Sequence, residues 1–327
     1  MLQIIVLFLL LAIAGNAAPI VCANGFHTLV YQEFSHYKDD YTFEEETADF
    51  WTHHQRFGVI REKDRLILIA RDEAMARQLL ADMSATGAKK VQRKKIGGAA
   101  YDITDFADPL AKRLVGRWVF DGPNCWNLCL IHRELTGAIA ATRDTEFRHW
   151  MASPLSQEVR NVADLQPGDI VAFRQGDEEV HGAVYLSPRI LLTKNGTEEV
   201  RPYRLMDLNE VYNVYRPMSN DIKLFRVKAL PAFLAENPAL KTPALTDLMT
   251  KMSALDAKIS FYAMQDEPTM MTDAYQVGAN QFRRERRATA KELLAQAQAD
   301  VANVSESRLK SIYEGLIIRL SAWAGGY

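Results

Sequence analysis

Cys125 is the residue whose position in the sequence most favours covalent chemistry. It lies in the stretch GPNCWNLCL, residues 122–130, where a turn leads into an apolar run at helical spacing. Asn124 is a natural N-cap and would place Cys125 in the first turn of a helix. There the unpaired backbone N–H groups and the helix dipole stabilise a thiolate and can hold an oxyanion. The sequence therefore predicts either an ionised, reachable nucleophile at Cys125 or a small buried residue.

The helix that begins at Cys125 has an apolar face, and Gly137 is its predicted end. The residues that define this face are Leu128, Ile131 and Leu135. Cys129 lies on the same face, one turn after Cys125. We therefore interpret Cys129 as a packing residue.

A thiolate nucleophile needs a base, and the downstream candidate is His181. The segment 165–196 contains the turn PGD followed by three predicted strands, IVAFR, VHGAVYL and RILLTKNG. His181 lies at the start of the second strand, beside a turn, where its ring can point into a cleft. The alternative is a surface histidine, which is how we interpret the other histidines of the chain.

These motifs together resemble the NlpC-type cell-wall hydrolases, which belong to the papain-like cysteine peptidases. The resemblance rests on NCWNLCL, LQPGDIVAFR and VHGAVYLSPRILLTKNG and covers about a third of the chain. It implies a helix that carries Cys125 as nucleophile and packs on an antiparallel sheet that carries His181 as base. It also implies that Gly168-Asp169 opens a strand. We expect no cofactor and no metal.

The resemblance further implies a polar third residue on the strand after His181, where the family has His, Asn or Gln. Twelve residues beyond His181 the sequence has Thr193, which can accept a hydrogen bond from the imidazole. Asn195 lies two residues further, on the same strand face, and would serve if the register is shifted. Thr193 and Asn195 both stay candidates. For the oxyanion, the amide of Asn124 is a candidate donor.

The first eighteen residues have the pattern of a secretory signal peptide. The apolar run is too short for a comfortable membrane span and ends in small residues, AGNAA. The alternatives are an uncleaved anchor, since no Lys or Arg precedes the run, and a buried N-terminal helix. We predict a secreted or periplasmic protein. Its cysteine count is odd, so at least one thiol is unpaired or bonded to another chain, and a bridge between Cys22 and Cys129 stays open.

The expected fold class is α+β, with a papain-like NlpC-type core. After the signal peptide at 1–18, residues 25–109 form a small N-terminal α+β domain in which RLILIA is a strand. Residues 110–217 form the catalytic domain. Residues 225–327 form a helical hairpin or bundle whose first long helix starts with Thr242 as N-cap.

Composition and motifs bear on which partners the protein can bind. The formal net charge of -2 gives no reason to expect nucleic acid binding. No Gly-rich phosphate loop and no regularly spaced set of Cys and His for a metal is present in the sequence. The basic run RRERR at 283–287 indicates an exposed polar helix face, with contact to a cell wall or membrane surface as the minority interpretation.

Three functions fit these observations. The first is an exported cysteine amidase or endopeptidase that cleaves amide bonds in peptidoglycan stem peptides. The second is an acyltransferase or esterase that uses the same scaffold, which the bulky Trp126 after the cysteine favours. The third is a catalytically degenerate binding module, which the absence of His, Asn or Gln at position 193 favours.

Overall fold

The chain divides into two compact units. The first unit comprises residues 1–117, 186–195 and 200–214, and the second comprises residues 118–185, 196–199 and 215–327. The computed structural model describes residues 20–21, 27–28, 51, 56–85, 87–92, 97–117, 119, 122–196, 203–265, 267–270 and 272–325. The predicted signal peptide lies outside these residues, and the predicted domain boundaries stay predictions.

The first unit is built on an antiparallel sheet. Its strands are β1 (Ile20–Val21), β2 (His27–Thr28), β3 (Phe57–Glu62), β4 (Arg65–Ala70), β5 (Lys89–Val91) and β6 (Ala99–Asp102), in the order β1-β2-β3-β4-β6-β5. The strand predicted from RLILIA is β4, and residues 66–70 are buried because β4 lies in the sheet interior. Helix α1 (Glu73–Asp82) follows β4 and begins at the N-cap Asp72. The predicted N-terminal α+β arrangement is therefore confirmed for the described residues.

The first unit also contains α2 (Pro109–Leu114) and a hairpin from further along the chain. The hairpin strands are β10 (Ile190–Lys194) and β11 (Tyr203–Asp207), which pair antiparallel with Thr193 opposite Arg204. Helix α5 (Leu208–Tyr215) follows β11. Residue 115, just after α2, forms an isolated parallel bridge with Tyr203, which joins the hairpin to the rest of the unit.

The second unit contains the segment predicted to carry the chemistry. Its elements before the long helices are α3 (Cys125–His132), α4 (Asp144–Ala152), β7 (Ser156–Glu158), β8 (Ile170–Gln175), β9 (Glu178–Ser187) and β12 (Asp221–Val227). Strand β8 pairs with β9 on one side and with β12 on the other, all antiparallel, and β12 pairs with β7. The strand order within the second unit is β9-β8-β12-β7. The strands predicted from IVAFR, VHGAVYL and RILLTKNG are thus confirmed.

The C-terminal region is helical, as predicted. Its helices are α6 (Leu230–Glu236), α7 (Pro243–Ala263), α8 (Glu267–Met270), α9 (Asp273–Val301) and α10 (Ser307–Gly325). Thr242 is the N-cap of α7, and its hydroxyl accepts a hydrogen bond from Leu245 N at 3.1 Å. Helix α9 packs against α7 and α10, and α10 also packs against α4. Among the helices of the described residues, none is both long and apolar enough to span a membrane.

Helix α7 holds the loop that follows α3. Asp256 accepts a hydrogen bond from Gly137 N at 2.7 Å. Ser260 accepts one from Ile139 N and donates one to Gly137 O, both at 3.0 Å. The C-terminal helices and the helix that starts at Cys125 therefore belong to one packed unit.

We expect Asp256 to make the stability of the protein fall as the pH rises. Burial raises the pKa of this carboxyl from 3.8 to about 6, although the nearby Arg319 lowers it in part. Since the folded state binds this proton more tightly than the unfolded chain does, the stabilisation is complete below pH 3.8 and is lost as the pH rises through about 6. Relative to Asp256→Asn, the wild type should lose up to about 3 kcal/mol of unfolding free energy between pH 4 and 7.

Urea unfolding of both proteins across this pH range measures the effect. Asp247→Asn on the exposed side of α7 is the control, because the hydrogen bond from Lys251 lowers the pKa of Asp247 and gives a small dependence of opposite sign. Parallel curves for the wild type and Asp256→Asn would contradict the assignment.

Candidate functional site

Cys125 is the first residue of α3, and Asn124 is the N-cap, as predicted. The Asn124 side-chain oxygen accepts a hydrogen bond from Asn127 N at 2.9 Å. The predicted end of the helix at Gly137 is wrong, because α3 ends at His132. The chain turns away at Glu134, whose φ of 52° lies in the left-handed region and cannot continue the helix.

The start of α3 is fastened to the loop before α4. The Asn124 amide nitrogen donates to Thr142 O at 2.7 Å, so one of its donors is used in holding this loop. The Asn127 amide donates to Ala138 O at 2.9 Å and also reaches Thr142 Oγ1. The polar side chains at the first turn of α3 thus fix the backbone around Cys125, which is what a preformed oxyanion site requires.

The two cysteines of α3 have different surroundings. Cys125 keeps 7% of its surface exposed, whereas Cys129 keeps none. The pKa of the Cys129 thiol is raised well above 9.0, first by burial and then by negative charge at Cys125 and Glu179. Between them in sequence, Trp126 has a buried Nε1 without a hydrogen-bond partner among the described residues. Cys129 is a packing residue, and Cys125 is the more accessible thiol.

Helix α3 lies against strand β9. The Sγ atom of Cys129 is 3.1 Å from where a Cβ on Gly182 would stand, and Phe147 of α4 is 3.4 Å from the same point. Only a glycine lets the strand and the helix approach this closely. Gly182 therefore lies on the face of the sheet that packs against α3 and α4. We call this face the α3 face.

His181 precedes Gly182 in β9, and successive side chains of a strand leave opposite faces. Its ring stacks on Tyr215, with ring centroids 3.7 Å apart and an interplanar angle of 5°, and Phe173 is next to both rings. Burial lowers the pKa of His181 to about 3, so the imidazole is neutral at physiological pH. Strand alternation therefore gives the His181 side chain the face of β9 opposite to that of Gly182. Its role as a base stays a prediction.

Thr193 and Asn195 belong to the first unit. Thr193 is fully buried and donates from its hydroxyl to Asn195 Oδ1 at 3.2 Å, and the Asn195 amide nitrogen lies 3.3 Å from Met206 Sδ. Cys125 and His181 belong to the second unit. The assignment of either residue as the partner of His181 stays a prediction.

Glu179 is a residue that the sequence analysis did not single out. It is buried near the start of β9 and lies 3.0 Å from Arg174 of β8. The pairing of β8 with β9 shifts between Phe173 and Arg174, so that Val180 is an extra residue in β9. No sequence signal marks this bulge.

The comparisons with known proteins add nothing to these observations. No family model, no curated protein and no solved structure matches the chain. Within the described part of the chain, no group of three or more His, Cys, Asp or Glu residues could hold a metal ion.

The close approach at Gly182 predicts a specific effect on stability. Gly182→Ala should lower the free energy of unfolding by about 1 to 2 kcal/mol, because the added methyl group crowds Cys129 Sγ. Cys129→Ala removes that sulfur, so the same substitution should cost much less in the Cys129→Ala background. Urea unfolding of the four proteins measures the coupling. An equal cost in both backgrounds would show that α3 does not lie on this face of β9.

Proposed function

We propose that the protein is an exported cysteine hydrolase that cleaves amide bonds, with the peptides of peptidoglycan as substrate class. The observation that carries the proposal is the position of Cys125 as the first residue of an Asn-capped helix. At that position the first N–H groups of a helix have no partner within the helix, and the dipole favours an anion. The substrate class follows from the resemblance to NlpC-type hydrolases and from the apolar N-terminal segment.

The proposed chemistry is acyl transfer through sulfur. The Cys125 thiolate attacks the amide carbonyl carbon, and the backbone N–H groups at the start of α3 hold the oxyanion. The C–N bond then breaks, a proton passes to the leaving nitrogen, and the acyl group stays on sulfur as a thioester. Water hydrolyses the thioester and frees the thiol.

The identity of the proton acceptor is the part of this mechanism that rests on the resemblance. The resemblance assigns it to His181. In the described arrangement the His181 ring stacks face to face on Tyr215, and strand alternation directs its side chain away from the face of Gly182.

A catalytically degenerate binding module is the second candidate function. The observation that favours it is the same stack of the buried, neutral His181 on Tyr215, which is a stable core arrangement. In that case Cys125 would be a small packing residue, and the chain would bind wall peptides without turnover.

A turnover assay separates these candidates. The purified protein is incubated with peptidoglycan fragments and, in parallel, with soluble acyl esters, and products are identified by mass spectrometry. Release of new amino termini from wall peptides supports the amidase. Cleavage of esters alone supports the esterase or acyltransferase. Binding of wall peptides without any product would support the catalytically degenerate binding module.

A further inference from the structure

Glu179 lies on the same face of the sheet as the helix that carries Cys125. In the register of β8 with β9, Ala172 is opposite Gly182 and Arg174 is opposite Glu179. Ala172 and Arg174 are two residues apart in β8 and so share one face, and directly paired residues of antiparallel strands also share a face. Because the bulge at Val180 absorbs one residue, Glu179 is on the α3 face with Gly182, and His181 is not.

Glu179 also lies at the end of β9 that is nearest to the first turn of α3. At the other end of β9, Gly168 N donates a hydrogen bond to Tyr185 O. A Cβ on Gly168 would meet His132 and Arg133, which lie at the end of α3. Gly182, in the middle, meets Cys129. The order of these contacts shows that α3 runs antiparallel to β9. Continuing by one more helical turn brings Cys125 to the level of Glu179.

The carboxyl group of Glu179 is held in an environment that leaves one oxygen unused. Its side chain is 2% exposed, and its Oε1 lies 3.0 Å from Arg174 Nε. Its Oε2 is buried and has no hydrogen-bond partner among the described residues. A buried acceptor without a hydrogen-bond partner carries a desolvation cost, which a proton shared with a neighbouring group would relieve.

We propose that Glu179 is the ionisable partner of Cys125 on the α3 face and that it sets the protonation state of the Cys125 thiol. The charged groups around Glu179 are Arg174 from β8 and Arg148 and Asp144 from α4. Arg148 is anchored there by hydrogen bonds to Asp177 O and to Asp144. An ionised Glu179 disfavours a second negative charge on the same face, and Arg174 offsets part of that repulsion.

The electrostatics agree with this geometry. Burial raises the pKa of Glu179, and Arg174 and Arg148 lower it in part. The negative charge of Glu179 contributes to the raised pKa of Cys129, which lies one turn from Cys125. When the thiol ionises, the S–H bond breaks, its electron pair stays on sulfur and the proton can pass to a Glu179 oxygen. The same proton is then available to the leaving nitrogen of an amide substrate.

The rate of alkylation of Cys125 by iodoacetamide, followed from pH 5 to 10, tests the proposal. Fragment ions from tandem mass spectrometry separate modification of Cys125 from that of Cys129. Glu179→Gln should lower the midpoint of the Cys125 profile by about one pH unit, which is about a tenfold change in thiolate below the midpoint. Glu178→Gln is the matched control, because Glu178 precedes Glu179 in β9 and is exposed, and it should leave the midpoint unchanged.

Arg174→Gln should shift the midpoint of the Cys125 alkylation profile in the opposite direction. It also serves as a control for loss of structure. Removing this cation should raise the midpoint, whereas a loosened fold would speed alkylation in both variants without moving their midpoints in opposite directions. An unchanged midpoint in either Glu179→Gln or Arg174→Gln would overturn the proposal, and so would midpoints that move in the same direction.

For catalysis this inference rests on the proposed function, but the two can fail separately. If the midpoints shift as expected and no variant hydrolyses any substrate, the pairing of Glu179 with Cys125 stands and the hydrolase does not. If hydrolysis depends on Cys125 and the midpoints do not move, the hydrolase stands and the role of Glu179 is wrong.

Discussion

Replacing Cys125 with alanine should lower kcat/KM for amide hydrolysis by at least about a thousandfold, because the proposed chemistry passes through a thioester on this sulfur. The substitution is small and lies at the first position of α3, where alanine is well tolerated in a helix. The folded protein should therefore be retained, and the loss should appear in the chemical step rather than in substrate binding. Hydrolysis rates and wall-peptide affinity, measured on the same preparation, separate the two.

Cys129→Ala is the matched control for this experiment. Cys129 is on the same helix, one turn later, and is fully buried against Gly182. Its replacement should leave kcat/KM within a few fold of the wild type. Equal losses in both variants would mean that the effect comes from damage to α3. Full activity in Cys125→Ala would contradict the assignment of Cys125 as the nucleophile.

Replacing Arg319 with methionine should lower the free energy of unfolding by about 3 to 5 kcal/mol. The Arg319 guanidinium pairs with Glu146 of α4 at 2.8 Å, with both side chains 4% exposed, and it also donates to Leu135 O at 2.6 Å. Without the cation, Glu146 and the nearby Asp256 would be left as buried carboxyl groups with no positive partner among the described residues. The variant tests whether α10 is part of the unit that carries Cys125.

A double substitution and a surface control complete this experiment. Adding Glu146→Leu removes the buried carboxylate that Arg319→Met leaves unpaired, so it should recover part of the loss. Arg308→Met breaks the exposed pair with Glu306 at the start of α10 and should cost less than about 1 kcal/mol. If the two arginine variants were equally stable, α10 would not be packed on α4 as described.

Much of the local structure follows from the sequence because the signals are local. Asn124 and Thr242 start helices as capping residues, and the strands predicted from alternating and continuous apolar runs are present. The end of α3 is different. Gly137 satisfies the usual composition rule, but the helix stops earlier, since Asp256 and Ser260 of α7, more than a hundred residues away, hold the loop that contains it.

The candidate site depends on a detail that spacing cannot give. An apolar strand that begins VHGAVYL predicts which residues alternate, but it does not say which set faces the cysteine helix. That choice is made by the extra residue Val180, which brings Glu179 and Gly182 to one face, and by Tyr215, which stacks on His181. A shift of one residue in a strand moves every side chain to the other face, so an irregular register has large effects.

The helical tail also has a clearer role than its sequence predicted. Patterning indicated only a helical hairpin or bundle. In the second unit α7 holds the loop after α3, and α10 pairs with α4 through Arg319 and Glu146. Removal of residues 225–327 would therefore be expected to unfold the unit that contains Cys125. Single substitutions on exposed positions are the better tests of substrate contact.

The most direct test of the account is to trap the covalent intermediate. The protein is mixed with a wall peptide substrate, quenched in acid within one turnover and analysed by intact-mass and fragment-ion mass spectrometry. We predict a mass increase equal to the acyl part of the substrate, located on Cys125 and absent from Cys125→Ala. Turnover with the acyl group on another residue, or with none on the protein at any quench time, would contradict the assignment of Cys125 as the nucleophile.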